Sequence, residues 1–225
     1  MGGGSAPDAA APTRIIFLGP PGAGKGTQAG RLAAERELVR ISTGDMLRQA
    51  IAAGTALGRK AAPLMERGQL VPDELLVAMI RERIARQDCA NGYILDGFPR
   101  TLPQARSLET MAGADGFTVF DIEVPRDVLL RRLSGRRWCP RCQATYHVET
   151  SPPTRPGLCD WCSTALVQRE DDKEAVVKRR LAEYDERTRP LIEHYRARST
   201  FHRVDGNRPV EAVLLDLQER LGAAS

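Results

Sequence analysis

The chain has 225 residues, enough for one sizeable core with an insertion and short for two unrelated domains. Its 42% hydrophobic and 28% charged residues give a globular balance, and no stretch nears the roughly 18 apolar residues of a membrane helix. A net charge of +4, from 33 basic and 29 acidic residues, is too even to argue by itself for a nucleic-acid partner.

In chain order, residues 1–13 are expected to be a disordered tail. Their small, turn-prone composition lacks the basic start and apolar run of a secretory leader. Gly2 does not make a myristoylation site, because Ala6 stands where Ser or Thr is wanted. Residues 14–19 (RIIFLG) read as a buried strand, and Lys25–Glu35 as the helix after a glycine loop. Ser42 with Asp45 has the spacing of a capping box, opening a helix that runs to Gly54. Helices are predicted over 57–67 and 73–86, a strand over 93–95, a helix over 103–111, a strand over 118–124 and a helix over 127–134. Between 135 and 172 prolines, glycines, aromatics and four cysteines break the pattern, which marks an insertion. Regular helix resumes over 173–196, followed by a strand at Phe201–Asp205 and a helix over 209–221 that begins with proline. Such alternation predicts an α/β fold: a doubly wound parallel sheet, helices on both faces, ligands at the carboxyl ends of the strands.

Three motifs carry chemistry. Gly19-Pro-Pro-Gly-Ala-Gly-Lys-Gly-Thr27 lies between a strand and a helix, the setting in which backbone N–H groups and a lysine hold phosphates. Gly26 stands where Ser or Thr is usual and Thr27 comes one residue later, which argues against direct magnesium ligation by that hydroxyl. Asp96-Gly-Phe-Pro-Arg-Thr101 follows a strand, so Asp96 can hold magnesium through water and Arg100 can fork onto a phosphate. Cys139-x-x-Cys142 and Cys159-x-x-Cys162 enclose sixteen residues, the spacing of a four-cysteine zinc site. Disulfides and a nucleic-acid-binding zinc ribbon are the alternatives, and a metal would favour a reducing, cytosolic compartment. The aromatics Trp138, Tyr146 and Trp161 are expected to form the core around that metal. Asp171 and Asp172 are read as helix caps or as hinge residues.

Taken together, GPPGAGKGT, STGDMLR, LDGFPRT and VDGNRP, in this order and spacing, resemble adenylate kinase over about residues 14 to 221. The resemblance implies reversible phosphoryl transfer, ATP + AMP = 2 ADP, on a P-loop nucleoside monophosphate kinase core (14–134 and 173–225). It further implies an AMP-binding arm at 42–71 and a zinc-bearing lid at 135–172. Gly22, Ala23, Gly24, Lys25, Gly26, Thr27, Arg132, Arg136 and Arg208 would bind ATP. Thr43, Arg48, Gln69, Leu70, Val71, Gly97, Phe98, Pro99, Arg100, Gln104, Arg169 and Arg180 would bind AMP, with Gln104 reading adenine. Lys25, Arg100, Arg136, Arg169 and Arg180 would carry catalysis. Arg132 and Arg136 would share a helix face if the helix ran on through Gly135. Mg2+ accompanying ATP and a structural Zn2+ would be the cofactors, and the chain would be a cytoplasmic monomer with no nucleic-acid or membrane partner.

Overall fold

In the computed structural model, residues 12–113 and 116–222 are described. Most of the expected tail, residues 1–11, lies outside them.

Five parallel strands form the central sheet: β1 (Thr13–Leu18), β2 (Val39–Ser42), β3 (Gly92–Asp96), β4 (Thr118–Glu123) and, late in the chain, β7 (Phe201–Asp205), in the order β2-β3-β1-β4-β7. Both faces are covered, which is why β1 is a continuous apolar run. Ile15 and Phe17 enter one core with α1 (Lys25–Glu35), α6 (Arg126–Ser134), α7 (Glu174–Glu183) and α9 (Val210–Gly222). Ile16 and Leu18 enter the other with α2 (Thr43–Ala52), α3 (Ala56–Glu66), α4 (Asp73–Ile84), α5 (Leu102–Ala112) and α8 (Pro190–Tyr195). Each buried side chain of this kind contributes about 1.5–3 kcal/mol. A separate antiparallel pair, β5 (Arg136–Trp138) and β6 (Thr145–His147), lies inside the insertion.

Two elements depart from the sequence expectations. The strand β2 was not predicted: it has four residues, pairs only with β3 and carries exposed Arg40, so its pattern is too short and too polar to show. The long helix predicted over 173–196 is interrupted by a π turn at Tyr184–Thr188, where Arg189 N–H reaches back to the Tyr184 carbonyl at 2.8 Å. Pro190 follows directly; it has no N–H to donate and its ring needs space beside the preceding turn, so the ladder widens there.

Within the second core, Asp121 on β4 is 1% exposed, and neither of its carboxylate oxygens has a hydrogen-bond partner among the described residues. Burial pushes its carboxyl up to about 6, with neighbouring Glu123 adding to the effect. A carboxyl raised in the folded chain holds its proton longer there than in the unfolded chain. Stability is therefore greatest at low pH with respect to this group and is lost as pH rises from about 4 to about 6. Asp121→Asn should remove that slope in pH-dependent urea unfolding and stabilise the protein above pH 6 by about 2–3 kcal/mol.

Candidate active site

The carboxyl ends of β1 and β3 sit side by side, with Phe17 opposite Asp96, and open onto one cavity of about 1070 Å³. The loop after β1 must turn sharply into α1. Gly24, the residue before the helix, has φ of 96°, a left-handed conformation that favours glycine. No side chain caps α1 and its first turn has no acid, so its free N–H groups and positive end remain available to an anion. Lys25 folds over the loop and donates to the carbonyls of Gly19 (2.6 Å) and Pro20 (2.8 Å).

Gly26 also has a steric reason. A Cβ there would lie 3.0 Å from Arg40 Nη2 and 3.2 Å from Asp96 Oδ2, so a serine or threonine would press on the pair they form. Arg40 donates to Asp96 at 2.7 Å and to Asp45 at 3.2 Å. It was missed in the sequence because the strand that carries it was missed. Asp45 does not complete a capping box: Ser42 accepts from Asp45 N–H, but the Asp45 carboxylate takes Arg48 at 2.6 Å instead.

Among the described residues nine arginines line the same cavity as Lys25, and five of them, Arg48, Arg100, Arg136, Arg169 and Arg180, are those expected at the acceptor phosphate and the group in transfer. Burial lowers the Lys25 ammonium to about 8; Asp96 pulls it back up, and Arg100, Arg180 and Arg136 push it further down. Burial also lowers Arg100, to about 10, with Arg180 adding to it. Arg169 falls to about 9, through burial and then the charges of Arg48 and Arg136. Held this way, the cluster is a high-potential site for an anion.

Acids at the end of the insertion keep the arginines in place. Asp172, with no exposed side-chain surface, takes two donors of Arg136, Nε at 2.7 Å and Nη2, and a third from Arg180 at 3.1 Å. Asp171 pairs with Arg180 at 3.0 Å. These acids therefore do not cap the return helix, whose N-cap is Lys173 without a side-chain bond. Nor does α6 run on through Gly135. Arg136 lies on β5, and Arg132, on α6, instead donates to the Gly206 carbonyl at 3.0 Å. Arg208 is held by the Asp205 carbonyl at 3.2 Å and by Asp216.

Of the residues singled out in the sequence, Gly22–Thr27, Thr43, Gln69, Leu70, Val71, Asp96, Gly97, Pro99, Arg132 and Arg208 also line the cavity. Two lie behind its wall. Phe98 is fully buried in the second core. Gln104, likewise buried, donates to Asp73 at 2.7 Å and accepts from Arg100 N–H at 2.8 Å. Each end of its amide makes one hydrogen bond, which orients Asp73 and Arg100 and leaves one N–H and one oxygen lone pair of the amide unassigned.

In the insertion the four paired cysteines are free thiols, their Sγ atoms all within 4.8 Å of one another. Both Cys-x-x-Cys turns close alike, with Gln143 N–H on the Cys139 carbonyl and Ser163 N–H on the Cys159 carbonyl. A tetrahedral zinc with Zn–S bonds of about 2.3 Å needs sulfurs about 3.8 Å apart, so the cluster fits such an ion. Of the three aromatics expected around it, only Tyr146 packs there, its hydroxyl accepting from Asp160 N–H at 2.9 Å. Trp161 is 83% exposed.

This geometry agrees with what comparison shows. The model of the adenylate kinase family matches residues 17–200. An adenylate kinase of Moorella thermoacetica is 50% identical over 212 residues, covering 93% of this chain and 98% of its own. One from Lachnospira eligens is 48% identical over 212 residues, 93% of this chain and all of its own. One from Clostridium perfringens is 44% identical over 215 residues, 94% of this chain and 99% of its own. With a phosphate loop, a converging set of arginines and similarity along nearly its whole length, the chain belongs to the adenylate kinase family.

Proposed function

We propose that the cavity performs the reaction of this family, ATP + AMP = 2 ADP, by neutralising two phosphate chains from opposite sides. The observation that carries this is the convergence of Lys25, the N-terminus of α1 and five guanidinium groups on one cavity at the carboxyl end of a parallel sheet. ATP would lie along Gly22–Thr27 with its outer phosphates on Lys25, and its adenine against the loop that carries Arg208 and is held by Arg132. AMP would lie against Thr43 and Gln69–Val71, its phosphate between Arg48 and Arg100. The carboxylate of Asp96 borders the cavity beside Lys25, a hard oxygen donor suited to holding, through water, the Mg2+ that adenylate kinases use with ATP. That ion supplies charge neutralisation on the phosphates when bound.

Chemically, the acceptor phosphate oxygen is already anionic and needs no base. The protein's task is to align donor and acceptor and to compensate charge on the oxygens in transfer, for which Arg136, Arg169 and Arg180 are placed. Water must also be kept out, since it would otherwise take the phosphoryl group. Residues 42–71 and 135–172 are proposed as the arm and lid that close over the nucleotides, on a core of 14–134 and 173–225. A zinc ion on Cys139, Cys142, Cys159 and Cys162 would be structural, because four thiolates leave no open position. Free thiols and a closed metal site suit a reducing compartment, and we place the protein in the cytoplasm as a monomer. Among the described residues no helix is long and apolar enough to cross a membrane.

A coupled assay for ADP with ATP and each monophosphate in turn should give its highest kcat/KM with AMP; a higher value with UMP or CMP would reassign the acceptor. Metal analysis of the purified protein should find one zinc per chain, and chelation should lower the thermal midpoint. Arg136→Ala should reduce kcat by roughly 10³-fold or more with little change in the AMP KM, and unchanged turnover would refute its role. Because a bound polyphosphate restores the Lys25 charge, nucleotide binding above pH 8 should take up a proton. Calorimetry in two buffers of different ionisation enthalpy reads this uptake, which Lys25→Met should abolish.

A further inference from the structure

Trp138 belongs to the insertion, yet its ring meets the rest of the site. The Cζ of Arg169 lies 5.1 Å from the centre of its ring, and that of Arg48 lies 6.0 Å away. Arg48 comes from α2, about 90 residues earlier in the chain, so the indole joins the insertion to the segment that faces it. These are cation–π distances, at which an aromatic face attracts a guanidinium.

The ring's own position is fixed from behind. Trp138 N–H donates to the Val167 carbonyl at 2.8 Å and its carbonyl accepts from Val167 N–H at 2.9 Å, which ties both flanks of the insertion together. The next residue is Cys139, one of the four clustered cysteines. Trp138 is thus tied through its backbone to the far flank of the insertion while its face meets two cations that repel each other. Asp45, on Arg48, supplies part of the compensation. Three donors of the cluster, Arg48 Nε, Arg169 Nε and Trp138 Nε1, are buried without a hydrogen-bond partner among the described residues, and the π face adds to the attraction that Asp45 and Asp171 exert on the two arginines. The other tryptophan, Trp161, has no such contact among the described residues and stands in solvent.

We propose that Trp138 is a positioning residue that couples the lid to the AMP arm: by sharing its ring between Arg169 and Arg48 it makes closure over one nucleotide favour seating of the other. The inference rests on the reading of 135–172 as the lid and 42–71 as the AMP arm. Coupling of this kind requires a contact that crosses between the two segments when they are together, and the contact of the indole with Arg48 is such a contact.

The test is a linkage measurement on the full-length, zinc-loaded protein. AMP affinity is determined by calorimetry without and with a saturating non-hydrolysable ATP analogue, and the ratio is the coupling. In the parent the analogue should tighten AMP. Trp138→Leu should shrink that ratio by about 2- to 30-fold, the range of the one cation–π contact, to Arg48, that crosses between lid and arm, with metal content unchanged, and Trp138→Phe should restore part of it. Absence of coupling in the parent, a Trp138→Leu ratio equal to the parent's, or equal ratios for the Leu and Phe variants would each overturn the proposal. Should Trp138→Leu fail to fold, a Trp161→Phe chain leaves indole 138 as the sole tryptophan, and its emission should change on adding AMP alone; unchanged emission overturns the proposal. Arg48→Ala separates the two levels. If it leaves AMP affinity intact, the assignment of the arm itself fails; if it weakens AMP while Trp138→Leu keeps the coupling, only the latch fails.

Discussion

Mutual repulsion among five guanidinium groups and one ammonium is the constraint around which this molecule is organised. Burial first, and the neighbouring arginine charges after it, lower the ammonium of Lys25 to about 8 and the guanidinium of Arg169 to about 9. The arrangement survives because a few carboxylates are interleaved with the cations. Asp172 holds both Arg136 and Arg180, Asp45 holds Arg48, and Asp96 faces Lys25 while bound to Arg40. A buried ion network of this kind is poor value as a source of stability, since desolvation offsets much of its attraction. Its use is to preorganise positive potential where two polyanions must meet.

Where the cations come from matters as much as their number. Arg48 is on α2, Arg100 follows β3, Arg136 and Arg169 flank the insertion, and Arg180 is on α7. Elements far apart in sequence each contribute one charge, so the full potential exists only when they have come together. That is a physical reason for a phosphotransferase to close, and it makes an assembled site and a water-free site the same event. The insertion is too small to form a large core, and its four clustered thiols, with Tyr146 and Leu166 beside them, supply a rigid centre instead.

Much of this was legible in the sequence because local rules suffice for it. The phosphate loop needs glycines, a lysine, a preceding strand and a following helix, all adjacent in the chain. Paired Cys-x-x-Cys turns are likewise local, and the apolar run of β1 announces a strand buried on both faces. Arg40 escaped notice because β2 is a short edge strand whose composition says little. Capping, read for Asp45 and as one of two roles for Asp171 and Asp172, followed from their positions at helix starts, which is where isolated acids usually act; here arginines engage all three.

By itself, then, the sequence determined the type of sheet, the phosphate loop, the grouping of the four cysteines and the identity of the family, because each depends on residues close together or on motifs in fixed order. Only the tertiary structure decided which carboxylate restrains which arginine, that the Gln104 amide bonds Asp73 at one end and Arg100 at the other, and that Trp138 faces Arg48 and Arg169 instead of the cysteines. Those pairings join segments that the chain separates by tens of residues. Electrostatic and cation–π partners are chosen by distance in space, which no spacing in the sequence encodes.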